Sequence, residues 1–172
     1  MTVAPTFARR EIEALVASAA PGADVRPVLV TEDRYDAVAA ADAAVVASGT
    51  ATVETALLGI PMVIVYRMNP LTYALARLVT DLPHIGMTNL IAGRRVVPEL
   101  VQGACSGQAI ARELRRILTD PEVAQTMRAG LAEVRGRLGS PGAIDRAARA
   151  AWDMIRGAPA RRDGTGDRRG DG

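Results

Sequence analysis

Lysine is absent from these 172 residues, and all 21 basic side chains are arginine. There is one cysteine, one histidine and five aromatic residues (Phe7, Tyr35, Tyr66, Tyr73 and Trp152). Each shortage excludes something. Cys105 alone cannot close an internal disulfide, and no Cys/His/Asp set surrounds it, so it reads as a bystander and no metal site is expected. The scarcity of aromatics argues against an all-β sandwich and removes the stacking platform that a nucleic-acid binder would use. No apolar run reaches the ~18 residues that a bilayer span requires. With no apolar leader ahead of the first strand, the cytoplasm is the expected compartment.

The chain instead holds an aliphatic, alanine-rich half, enough for one domain with a real core. Charge is uneven. Residues 1–50 carry 4 Arg against 7 acids and residues 51–172 carry 17 Arg against 12 acids, so the second part suits an anionic substrate or an acidic surface.

Apolar periodicity alternates between the two regular spacings. "MTVAPT" and "VRPVLVT" read as short strands, and "FARREIEALVASAA" between them as a helix with Phe7, Ile12, Leu15, Val16 and Ala19 on one stripe. "PGAD" is a turn. "RYDAVAAAD" is helical, and "AAVVAS" is a continuously apolar strand of the kind that parallel sheets bury on both faces. "ATVETALLG" is a helix stopped by Gly59 and Pro61, and "PMVIVY" is the next buried strand. "NPLTYALARLVTDLP" is a helix, "NLIAGRRVVPELVQG" a loop entering a short helix, and three helices follow through "GAIDRAARAAWDMIRG". Alternating strands and helices predict an α/β fold: a Rossmann-like parallel sheet with flanking helices and a helical C-terminal end. Residues 1–156 are one domain, and 157–172, without apolar periodicity, form a disordered tail.

Ser48-Gly49-Thr50 stands between two runs that are otherwise built for burial. A helix opening directly after a parallel strand presents free N–H groups and the positive end of its dipole at the carboxyl edge of the sheet. Gly49 permits close approach of an anion, and the hydroxyls of Ser48, Thr50 and Thr52 are further donors. Glu54, one helical turn on, is placed to accept from vicinal hydroxyls such as those of a ribose. The plainer reading is an N-cap with a glycine turn. Neither the dinucleotide fingerprint nor a P-loop is present, which leaves a sugar nucleotide as the ligand class.

The wording "ASGTATVETALLGIPMVIVYRMNPLTYALARLV" followed by "NLIAGRRVVPELVQ" resembles the C-terminal half of the bacterial lipid-A-disaccharide synthase family. These are glycosyltransferases of the two-domain GT-B architecture. The resemblance runs from about Val3 to Trp152 and is densest from Ala47 to Gln102. It implies inverting transfer of an acylated glucosamine from a UDP-sugar to the acylated monosaccharide lipid X in lipid A biosynthesis, without a cofactor. By position, Ser48, Gly49 and Thr50 correspond to the pyrophosphate corner and Glu54 to the ribose carboxylate. Tyr66 and Arg67 match the family's "YR" and would face the cleft. Asn89, Gly93 and Arg94 match its "NL-x-AGR" loop, and Glu99 and Gln102 match "PEL-x-Q", where sugar hydroxyls are expected. His84, in "DLPHIG", has no matching histidine in the family and is not expected to act as a base.

The resemblance further implies that the catalytic carboxylate and the lipid-acceptor site belong to an N-terminal domain outside this sequence, as does the first βα unit of the donor domain. The expectation is therefore a partial donor-binding domain, inactive alone, with an open sheet edge available for dimerisation. "YRMNPLTYALARLV", apolar on one face and flanked by Arg67 and Arg77, suits peripheral contact with the inner face of an anionic inner membrane. The competing expectations are another GT-B UDP-sugar enzyme and a non-catalytic nucleotide-sugar-binding remnant.

Overall fold

The computed structural model describes residues 1–3, 7–19, 27–73, 83–140 and 142–156. They divide into two units, Met1–Leu138 and Gly139–Gly172. The first holds a parallel three-stranded sheet of β1 (Ala44–Ala47), β2 (Met62–Tyr66) and β3 (Glu99–Val101), in that order. Val46 lies beside Ile64 across the first pairing, and Val65 lies beside Leu100 across the second.

Parallel neighbours require crossovers, and a helix provides the first. Helices α1 (Arg9–Ala19) and α2 (Arg34–Ala39) precede β1, and α3 (Thr50–Leu57) carries the chain from β1 to β2. Gly59 ends α3 in the left-handed region (φ 72°), its amide donating to Ala56 O at 2.9 Å. This is the glycine stop expected from the sequence. Helix α4 (Met87–Ala92) precedes β3, and α5 (Gly107–Thr119) and α6 (Pro121–Leu138) follow it. Helices α3, α4 and α5 all pack on α6, and α5 also meets β2. Their common core is aliphatic: Met62, Val63, Ile64, Val97, Leu131 and Val134 are fully buried.

Two segments differ from expectation. "NLIAGRRVVPELVQG" was expected as a loop leading into a helix, yet it begins as α4 and ends as β3 followed by a 3-10 turn at Gln102–Ala104. Three residues are too few for periodicity to reveal, and Glu99 breaks the apolar run. Of the two first strands, whose residues 4–6 and 25–26 lie outside the described ones, the described residues form one parallel bridge, Thr2 to Val30, held by Val3 N to Val30 O (2.8 Å) and Val30 N to Met1 O (2.9 Å).

Residues 70–73 are helical. The remainder of the helix expected there, the turn at 21–24 and the tail 157–172 lie outside the described residues. In the second unit, α7 (Ala143–Ile155) is exposed along its whole length. Among the described residues no helix is long and apolar enough to cross a membrane.

Candidate functional site

All three strands point their carboxyl ends to one edge of the sheet, the edge at which open α/β sheets bind ligands. The chain leaves β1 at Ser48, β2 at Arg67 and β3 at Gln102, so these three corners share that edge.

At the first corner, Gly49 is the N-cap of α3 with φ 146° and ψ −163°, a conformation that glycine alone adopts readily, and no side chain caps the helix. Space beside its Cα is open: a Cβ built there meets nothing within 4 Å. The amides of Thr50 and Ala51 take no partner among the described residues, so the helix end is free to receive an anion. Ser48 does not act as a cap. Its hydroxyl donates to Ile85 O at 3.0 Å, tying the corner to the loop ahead of α4. Thr50 and Glu54 are exposed.

Thr52 departs from expectation. It is fully buried and its hydroxyl donates to Gly49 O at 2.7 Å, which fixes the corner and leaves no proton for a ligand. Its own carbonyl accepts from Thr88 Oγ1 at 2.9 Å, linking α3 to α4.

Asn89 is corrected more strongly. Expected on a donor-binding loop, it is completely buried in α4. Its Nδ2 donates to Val97 O (2.9 Å) and Glu99 Oε1 (2.7 Å), while its Oδ1 accepts from the amides of Val96 (2.8 Å) and Val97 (3.0 Å). That is the entire capacity of the amide.

Glu99 is committed in the same way. Its two oxygens accept from Ile85 N (2.9 Å), Gly86 N (3.1 Å) and Asn89. Gln102 clamps Met68 by accepting from its amide and donating to its carbonyl, each at 3.1 Å. Three residues expected in the donor site, two of them (Glu99 and Gln102) at sugar hydroxyls, thus hold the loops that shape the edge.

A cleft of about 540 Å³ opens beside the second and third corners, lined by Arg67, Met68, Pro70, Tyr73, Gln102 and Gly103. Among the described residues, Arg67 is the one charged member of this lining. It is exposed, and the described residues give it no ion pair. Tyr66 is half-buried at the end of β2.

Gly93 and Arg94 do not line this cleft. Gly93 closes α4 in the left-handed region (φ 66°), and Arg94 pairs with Glu133 of α6 at 2.7 Å. His84 is half-buried.

Pro70 and Tyr73 had not been singled out from sequence. Their signal was available: Asn69 Oδ1 accepts from Leu71 N (2.9 Å) and Thr72 N (3.4 Å), so "NPLT" is an N-cap followed by proline at the first helical position.

Comparison with known proteins agrees along most of the chain. The model of the lipid-A-disaccharide synthetase family matches residues 1–142. The chain is similar to the lipid-A-disaccharide synthase of Syntrophus aciditrophicus, 47% identical over 128 residues covering 74% of this chain and 33% of the relative. It is also similar to that of Geobacter sulfurreducens, at 46% over 138 residues (80% and 35%), and to that of Myxococcus xanthus, at 44% over 153 residues (89% and 39%). It therefore spans little more than a third of the length of these relatives. With a parallel α/β sheet and a family match over 142 of its residues, the chain belongs to the lipid-A-disaccharide synthetase family, a family of glycosyltransferases.

Proposed function

We propose that this chain carries the UDP-sugar donor site of a lipid-A-disaccharide synthase. The observation that supports this most is the uncapped start of α3 at Gly49, which shares a sheet edge with Arg67, a residue without an ion pair among the described residues. In this reading the amides of Thr50 and Ala51 hold the diphosphate, and Arg67 offsets its charge from the neighbouring corner. Glu54 accepts from the ribose hydroxyls. As the acceptor hydroxyl attacks the anomeric carbon, a new C–O bond forms and the bond to UDP breaks. The helix end and the guanidinium then stabilise the charge developing on the departing diphosphate.

The general base that removes the proton from the acceptor hydroxyl, and the site for the lipid acceptor, come from parts of the longer protein outside these residues. The 172-residue chain alone therefore binds UDP weakly and transfers no sugar. Peripheral contact with the inner face of the inner membrane belongs to the same reading, supported by the relatives' name, which is that of a synthase of a lipid disaccharide. The test is a calorimetric UDP titration of the chain beside its Glu54→Ala variant. Weaker binding by the variant supports the assignment, and unchanged affinity removes Glu54 from it.

A further inference from the structure

We propose that Gln102 is a positioning residue for Arg67: its side-chain amide stands in for backbone that β3 no longer supplies, and so holds the Arg67 guanidinium where the diphosphate binds. The inference rests on the donor-site reading and adds a residue to it.

The backbone of Gln102 is the first observation. Its φ of 51° lies in the left-handed region, which residues with a Cβ rarely enter. Among the described residues Asp33 is the only other non-glycine residue with a positive φ. Such a conformation persists only where neighbouring contacts hold it, and it concentrates at binding sites.

The hydrogen bonds show what the conformation achieves. In the parallel ladder between β2 and β3, Ile64 pairs with Glu99 and Tyr66 with Val101, and Ile64 N donates to Pro98 O (2.9 Å). Carried on at the same spacing, the ladder would take Met68 N to Gln102 O. Gln102 turns away instead, and its carbonyl accepts from Cys105 N at 3.0 Å in the turn that leads to α5. The Met68 amide is met by Gln102 Oε1 and the Met68 carbonyl by Gln102 Nε2, each at 3.1 Å. A carboxamide offers the same kinds of donor and acceptor as a peptide group. The side chain therefore adds one rung to the ladder after the backbone of β3 has left the sheet.

Arg67 is the residue that this rung controls. It lies between Tyr66, the last residue of β2, and Met68, and both neighbours are pinned to the corner of β3. Its side chain is exposed and has no ion pair among the described residues. A long solvated side chain takes little direction from packing, so its reach is set by where its backbone is held. Holding that point before the ligand arrives lowers the ordering cost of binding.

Gln102 and Arg67 line the same cleft, so contact of Gln102 with the ligand itself is the rival role. A double-mutant cycle on the full chain, read by calorimetric UDP titration, separates the two. Gln102→Ala should weaken UDP binding about fivefold or more, and should add no further loss in the Arg67→Ala background. Gln102→Gly removes the same clamp but relieves the left-handed strain. Its urea midpoint should lie above that of Gln102→Ala, while its UDP affinity falls equally. Exchange at the Met68 amide, measured without ligand, should speed up about tenfold or more in both variants.

Unchanged exchange at Met68 would overturn the proposal, as would full UDP affinity in Gln102→Ala beside weakened binding in Arg67→Ala; either result leaves the donor-site reading standing. Equal losses from Gln102→Ala in the two backgrounds would place Gln102 on the ligand directly and overturn it too. Recovery of affinity together with stability in Gln102→Gly would reduce the clamp to a structural role. Wild-type UDP affinity in Arg67→Ala, or no UDP binding by the parent chain, would instead remove the donor-site reading, and the proposal with it.

Discussion

Asn89 Nδ2 lies 2.7 Å from Glu99 Oε1, and this contact joins helix α4 to the first residue of β3 at the heart of a network. Through Glu99 it reaches the amides of Ile85 and Gly86, and through Ile85 O it reaches the hydroxyl of Ser48 beside Gly49. The residues most suggestive of ligand contact are thus spent on holding the loops in place. Asn89→Ala would leave the Val96 and Val97 amides and the Val97 carbonyl without their Asn89 partner, while Glu99 Oε1 keeps the Gly86 amide. Each buried group stranded in this way costs about 1–3 kcal/mol, so a loss of about 3 kcal/mol or more is expected in urea denaturation. A loss below about 1 kcal/mol would mean that water replaces the amide.

Gly86 sits where a larger residue would force its neighbours to shift. A Cβ there overlaps Ile64 Cδ1 and comes within 3.1 Å of Glu99 Oε1. Gly86→Ala should destabilise by about 1–3 kcal/mol through overpacking. Because Ile64→Val removes the obstructing methyl, the double variant should recover part of that loss in a double-mutant cycle. Strict additivity would show that the clash is relieved elsewhere.

Gly49 is constrained by its backbone rather than by crowding. With φ 146° and open space around it, Gly49→Ala should cost about 1–3 kcal/mol in strain. It should also weaken UDP binding by displacing the amides of Thr50 and Ala51. Wild-type affinity with reduced stability would separate the corner from the ligand.

The two arginines drawn from the same resemblance should behave differently. Arg94 is in an exposed ion pair with Glu133, both side chains about half accessible, and Arg94→Ala should cost less than about 1 kcal/mol with UDP affinity intact. Arg67→Ala should leave the thermal midpoint unchanged and lower UDP affinity, measured by calorimetry. The reverse pattern would move the anion site away from the cleft.

Much of the frame was legible because its signals are local. The Gly59–Pro61 stop, the apolar run of β2 and the stripes of α5 and α6 each need only a few neighbouring residues to be read. The strand at Glu99–Val101 was not, since three residues carry no period and its pairing with Ile64 to Tyr66 spans more than thirty residues. The corner at Ser48 to Thr50 was legible as a strand–glycine–helix junction. The roles of Thr52, Asn89, Glu99 and Gln102 were not. A polar side chain reads the same whether it faces solvent or a buried carbonyl, and only tertiary contacts decide. At β1 the composition predicts burial on both faces, whereas among the described residues Val46 is buried and Val45 is exposed.

The most direct measurement of the central claim is a UDP titration of isotope-labelled chain followed by amide chemical shifts. The largest changes are expected at Gly49, Thr50 and Ala51, with smaller ones at Arg67 and Met68. Changes confined to a separate cleft, lined by Arg95, Glu113 and Arg116 among others, or no change at Gly49 under saturating UDP, would contradict the donor-site reading.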